Sequence, residues 1–125
     1  MPSLVQAMSF DIQHGKVTTE DQMAQWLETH IAPEDPVILE TPTIRLRPGF
    51  HFDYTPRLIQ EPLDAYRERG VRYFVASSEK FDPATSTPRD AAAYRQLLAA
   101  TELVTVIQPK PDHPGPRLTV FRVPR

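Results

Sequence analysis

The chain contains no cysteine, which excludes a disulfide framework and any thiolate metal site and leaves the redox compartment open. Only four glycines occur in the whole chain, and none are grouped. The glycine-rich loop that cradles phosphates against a helix N-terminus is therefore missing, and a nucleotide site has no support. Apolar runs are short: none approaches the ~20 residues needed to span a bilayer, and the N-terminus lacks the basic-then-apolar layout of a signal peptide. The residues given read as a soluble chain. A basic excess is also lacking, because the formal charge is -2 and the pI is near 6.1. That balance argues against a general nucleic-acid binder, which carries a strongly basic face.

What is present fits one domain. A chain of 125 residues is long enough to bury roughly two-thirds of its unfolded surface without staples. Charge is uneven along it, at -4 for residues 1–60 and +2 for 61–125, the excess in the second half being arginine. Proline is abundant, with 14 residues, about twice the usual ~5%. These prolines fall mostly between periodic segments, where a fixed φ and a missing N–H punctuate the chain.

Residues 1–17 show no sustained period and are broken by Gly15, so they read as an arm or connector, with a single α/β domain over 18–125. Thr19 and Gln22 have the spacing of a capping box. Met23, Trp26, Leu27 and Ile31 then share one helical face, which predicts an amphipathic helix over about 20–31, ended by Pro33 and Pro36. Val37-Ile38-Leu39 is a short β-rich run suited to a strand buried on both faces, closed by Glu40. Phe50, Phe52 and Tyr54 alternate with His51 and Asp53, predicting a half-exposed strand kept short by Pro48 and Pro56. Pro62, Leu63, Tyr66 and Gly70 outline a helix over 62–69. Val71 to Ala76 is the strongest strand signal and is expected at the centre of the sheet. Thr87, Pro88 and Asp90 start a further helix, with Ala91, Tyr94, Leu97 and Leu98 on one face to about Ala100. Leu103 to Gln108 and Arg117 to Val123 are two strands joined by a proline-rich turn, most simply an antiparallel terminal hairpin. The expected fold is a compact three-layer α/β sandwich, a mixed sheet of about four to five strands covered by about three helices.

The search for chemistry yields few candidates. Ser77-Ser78 follows the best strand, but no glycine flanks these serines as in a nucleophile elbow, and turn and cap hydrogen bonds account for them better. Ligands in α/β sheets favour the carboxyl ends of strands, which leaves Ser77, Ser78 and Lys80 as candidate contacts to an anionic group, with Glu40 as a further candidate contact to ligand or partner. Glu40 could serve as a general base, although a solvated carboxylate capping a neighbouring turn is the commoner arrangement. His51 and Asp53 would project from one face of a strand, a spacing that supplies two metal ligands or a base and its orienter, yet two groups do not complete a site. His14, His30 and His113 are scattered and read as surface histidines. Trp26 lies on the helix face with Met23 and reads as core. Arg67, Arg69 and Arg72 point in different directions from successive helix and strand positions, which disfavours a concerted phosphate clamp. No catalytic residue, metal or cofactor is assigned.

Several stretches resemble one family. The run Gln22 to Glu40, Q-M-A-Q-W-L-E-T-H-I-A-P-E-D-P-V-I-L-E, is similar to a segment that follows the membrane spans of bacterial glycosyltransferases using polyprenyl-phosphate sugars. These form the protein-mannosyltransferase and aminoarabinose-transferase-like superfamily. There a helix bearing a Trp before a hydrophobic residue leads into a short strand ending in Glu, matched by Trp26, Leu27 and Glu40. Gly70 to Phe81, G-V-R-Y-F-V-A-S-S-E-K-F, resembles the family's strand and serine loop. Tyr94 to Leu98, then E-L-V-T-V-I-Q-P and G-P-R-L-T-V-F-R-V, resembles its closing helix and two strands. The resemblance covers roughly 20–125, and its motifs are signatures of fold.

It implies an accessory, non-catalytic domain on the extracytoplasmic face of the bacterial cell membrane. Its partner would be the transmembrane portion of the same glycosyltransferase, where the catalytic acid and the sugar-lipid cavity reside. A lipid-linked sugar or an acceptor is the further candidate partner, and no nucleic acid is expected. Two other readings stand beside it. One is a free-standing module binding a protein through a sheet edge or the arginine-richer half. The other is a small metal-assisted hydrolase centred on His51 and Asp53 or on the Ser77 loop.

Overall fold

The computed structural model of the chain describes residues 17–81 and 87–124. Most of the expected N-terminal arm, with His14, lies outside them. Val37, Ile38 and Leu39 form strand β1 and all three are buried, yet they serve opposite sides of the sheet. Val37 and Leu39 join Met23 and Leu27 of helix α1 (Thr19–His30), and Ile31 just beyond it, in one apolar cluster with Val75, Leu118 and Val120. Ile38 joins a second cluster with Tyr66, Phe74, Tyr94, Leu97, Phe121 and Val123. Successive strand residues point to opposite faces, so one strand feeds two cores. The result is three layers: α1, the sheet, and a helical layer of α2 (Leu63–Glu68) and α4 (Pro88–Ala99).

The sheet has five strands in the order β2-β1-β3-β5-β4, where β2 is Phe52–Tyr54, β3 is Tyr73–Ser77, β4 is Glu102–Ile107 and β5 is Leu118–Arg122. β3 lies at its centre, as its apolar run requires. β1 pairs in parallel with both β2 and β3, while β5 is antiparallel to β3 and to β4. Four strands therefore run one way and β5 alone returns between β3 and β4. The ends of β1, β2, β3 and β4 consequently share one edge of the sheet, the carboxyl edge, on which the candidate residues lie.

Local chemistry explains the helix boundaries. The N-cap of α1 is Thr18 rather than Thr19: the Thr18 hydroxyl accepts from Asp21 N–H at 3.1 Å, and the Asp21 carboxylate accepts from Thr18 N–H at 3.0 Å. The expected box with Gln22 is displaced by one residue because Thr19 is fully buried, its hydroxyl donating to the Pro116 carbonyl at 2.7 Å. The helix ends where Ile31 turns extended and donates its N–H to the Leu27 carbonyl, ahead of the prolines expected to stop it. α2 closes on Gly70 at φ +79, where Gly70 N–H reaches the Arg67 carbonyl and Val71 N–H the Tyr66 carbonyl, the paired bonds of a Schellman turn. α4 starts with Thr87 accepting from Asp90 N–H at 3.1 Å and Pro88 in the first turn. A 3-10 turn at Leu58–Gln60 and the short helix α3 (Ser78–Phe81) lack a sequence period of their own.

Candidate functional site

Glu40 directly follows β1 and is only 1% exposed. Its Oε1 accepts from Ser77 N–H at 2.9 Å, and its Oε2 accepts from Leu58 N–H at 2.8 Å and from the Tyr94 hydroxyl at 2.5 Å. One carboxylate thus ties the end of β1 to the end of β3, to the 3-10 turn and to α4. Each donor is fixed by its own element. Ser77 ends the central strand, and Tyr94 lies on the buried face of α4. Leu58 is held from its other side, because its carbonyl accepts from the Tyr66 hydroxyl at 2.7 Å.

Burial raises the Glu40 carboxyl above its ordinary range; the bonds from Tyr94, Leu58 and Ser77 and the field of Lys80 pull it down without prevailing. The Tyr94 phenol is raised as well, by burial first and then by its bond to Glu40. Burial, followed by the nearby Glu61 charge, pushes the Tyr66 phenol up to about 12. Both phenols remain protonated donors at neutral pH. The cluster is accordingly a neutral-donor cage around one buried carboxylate, the arrangement that keeps such a group inside without an ion pair in direct contact.

The structure brings together the residues singled out in the sequence. Glu40 and Ser77 are bonded directly, and both are buried. The carboxylate is not the solvated cap expected of a strand end, because Leu58, Tyr94 and the Ser77 turn close over it. The Ser77 hydroxyl accepts from Glu79 N–H at 3.3 Å. Ser78 latches the start of β5: its N–H donates to the Arg117 carbonyl at 2.9 Å and its hydroxyl accepts from Arg117 N–H at 3.0 Å. Lys80, half-buried on α3, acts on Glu40 through its charge.

The remaining candidates stay apart. His51 and Asp53 are exposed at the β2 edge of the sheet, beside a shallow groove of about 380 Å³ that Arg69 also lines. Asp53 turns back on its own strand, accepting from Tyr54 N–H at 2.9 Å. No group of three or more metal-ligating side chains forms among the described residues. Trp26 packs against the α1-side core and stacks on His30 with ring centroids 4.5 Å apart. His113 is half-buried, its Nδ1 2.9 Å from the Val17 carbonyl oxygen, and His30 is exposed. The three arginines diverge. Arg69 pairs with Glu61 and covers the Tyr66 ring, Arg67 lies 3.9 Å from Asp64, and Arg72 donates to the Val123 carbonyl at 3.2 Å.

Tyr94, read from the sequence only as part of an apolar helix face, and the Leu58 amide were not among the candidate site residues. A signal for Tyr94 existed: a tyrosine on the buried face of a helix needs a partner for its hydroxyl, and a glutamate directly after an all-buried strand needs donors. No helix among the described residues is long and apolar enough to cross a membrane. No protein-family model, no curated protein and no solved structure matches the chain.

Proposed function

We propose that the chain is a non-catalytic accessory domain, on the extracytoplasmic side, of a bacterial membrane glycosyltransferase that transfers sugar from a polyprenyl-phosphate donor. The observation that carries this reading is the Glu40 cage. The sequence features behind the family resemblance, Glu40 after the first strand, Ser77 at the end of the central strand and the helix bearing Tyr94, converge on one carboxylate. Every bond to that carboxylate comes from within the fold. A catalytic acid or base presents a lone pair or proton to substrate; Glu40 presents its oxygens to two backbone amides and a phenol. Those residues are then marks of an architecture whose chemistry is supplied by the membrane-embedded portion.

A melting titration tests the lack of a site of its own, because a ligand that binds the native state raises its stability. Divalent cations and nucleotides are expected to leave the midpoint unchanged. A saturable rise of several degrees with one metal or one nucleotide overturns the non-catalytic reading.

A second reading, a free-standing protein-interaction module, is favoured by the sheet edges. Phe52 and Tyr54 on β2 are 38% and 40% exposed, and Leu103 on β4 is 58% exposed, and among the described residues both strands are the outermost of the sheet. Such edges can pair with a further strand. Recovery of the native chain as a stable stoichiometric complex with another protein, without any membrane enzyme, would favour this reading over the first.

A further inference from the structure

Trp26 is the single tryptophan of the chain, and the core takes up only part of it. Met23 and Leu27 are fully buried, whereas Trp26 packs along the margin of their cluster and stays half-buried. Helix positions three and four apart share a face, so Gln22, Gln25, Trp26, Thr29 and His30 form one stripe of α1. With Ile107 of β4 they line a shallow groove of about 370 Å³, within the ~300–1,000 Å³ of small-molecule sites.

Hydrogen bonds inside the helix set what this stripe offers a ligand. His30 Nδ1 lies 3.0 Å from the Trp26 carbonyl oxygen. A carbonyl only accepts, so Nδ1 carries the proton and Nε2 of the neutral ring is left as an acceptor. The Thr29 hydroxyl donates to the Gln25 carbonyl at 2.7 Å and keeps lone pairs for an outside donor. The side-chain amides of Gln22 and Gln25 and the indole N–H of Trp26 have no partner among the described residues. Amides that both donate and accept, an indole donor and two acceptors therefore surround a pair of rings stacked with centroids 4.5 Å apart.

Charge selects the class of ligand. With the imidazole neutral, no residue lining this groove carries a formal charge. The cleft beside α2 instead holds Asp35, Asp64, Arg67, Glu68 and Arg72, and the groove at β2 holds Asp53 and Arg69. A phosphate or carboxylate entering the α1 groove would lose water without meeting a countercharge. A neutral pyranose fits it better, because its hydroxyls donate and accept as side-chain amides do and its C–H faces pack on aromatic rings. We propose that the groove built on Trp26 and His30 and rimmed by Gln22, Gln25 and Thr29 binds a neutral saccharide. Its lining includes no carboxylate and so lacks the acid pair of glycoside hydrolysis; the site binds without turnover. The proposal goes beyond the accessory reading and does not depend on it.

A lone tryptophan gives a lone indole N–H resonance, which reports this groove directly. The isotope-labelled chain is titrated with the methyl glycosides of glucose, galactose, mannose and N-acetylglucosamine. At least one is expected to shift the indole resonance saturably, with a Kd of roughly millimolar size because an open groove covers little of the ring. Gln25→Ala, at an exposed position, is expected to weaken that binding several-fold without moving the melting midpoint, and Gln96→Ala on α4 to leave it unchanged. No saturable shift with any glycoside overturns the proposal, as does a shift that Gln25→Ala leaves intact. A tetraproline peptide that moves the indole where no glycoside does assigns the groove to a proline-rich segment and overturns it equally. The readout is saccharide binding by the chain alone, so its failure leaves the accessory reading standing, and loss of that reading leaves this site standing.

Discussion

The Tyr94 hydroxyl donates to Glu40 Oε2 at 2.5 Å across 54 positions of sequence, joining the helical layer to the end of the first strand inside the core. Removing either partner leaves the other buried without it. Tyr94→Phe takes away one donor and leaves two backbone amides on the carboxylate, so it should cost about 1–3 kcal/mol. Glu40→Ala strands both amides and the phenol and opens a cavity, and should cost more, about 3–5 kcal/mol. Urea unfolding of the two variants checks the order; equal stability of the wild type and Glu40→Ala would contradict the cage.

The Glu40 carboxyl is raised above its ordinary value of 4.5 by burial. The folded state thus holds this proton more tightly than the unfolded chain, and the associated stability is fully present below the unfolded value and lost as pH rises through the folded one. Glu40→Gln removes that dependence. The stability difference between wild type and Glu40→Gln should accordingly shrink as pH rises from about 4, read from thermal or urea melts at a series of pH values. A difference that grows with pH contradicts the sign.

Gly115 has φ +131, and a Cβ there would meet Thr19 Oγ1 at 2.4 Å and Glu20 Oε1 at 2.8 Å. Gly70 also has positive φ, but open space surrounds it. Gly70→Ala should cost about 1 kcal/mol through backbone strain alone, whereas Gly115→Ala should cost clearly more because the start of α1 must move. Comparison of melting midpoints decides; equal midpoints would show that the turn yields without loss.

Thr18 and Asp21 form the capping box of α1. Thr18→Ala should lower stability by about 1 kcal/mol, and Gln22→Ala should be nearly neutral. The reverse order in denaturant melts would restore the box read from Thr19 and Gln22.

The sheet and its helices were legible in the sequence because apolar period and punctuation coincide. Val37-Ile38-Leu39 between prolines marks a doubly buried strand, and the run before Ser77 marks the centre of the sheet. Two other features were less legible. The capping box slipped by one residue, since Thr19 is drawn into a long-range bond with Pro116 that no local pattern announces. The alternation that marked β2 as half-exposed overstated its cover: all three of its residues are exposed, Phe52 and Tyr54 at 38% and 40%. Of the candidate cluster, Glu40, Ser77, Ser78 and Lys80 were picked out by their positions at strand ends. The inward orientation of Glu40 depends on Tyr94 and on the 3-10 turn at Leu58, which reach it only through tertiary packing.

The most direct test of the accessory role is sugar transfer from a short-chain polyprenyl-phosphate donor by native membranes, with the coding region for residues 18–125 present or deleted and the transferase polypeptide matched in amount. The account predicts that deletion lowers transfer several-fold and that the isolated chain transfers nothing. Undiminished transfer without residues 18–125, or turnover by the isolated chain, would contradict it.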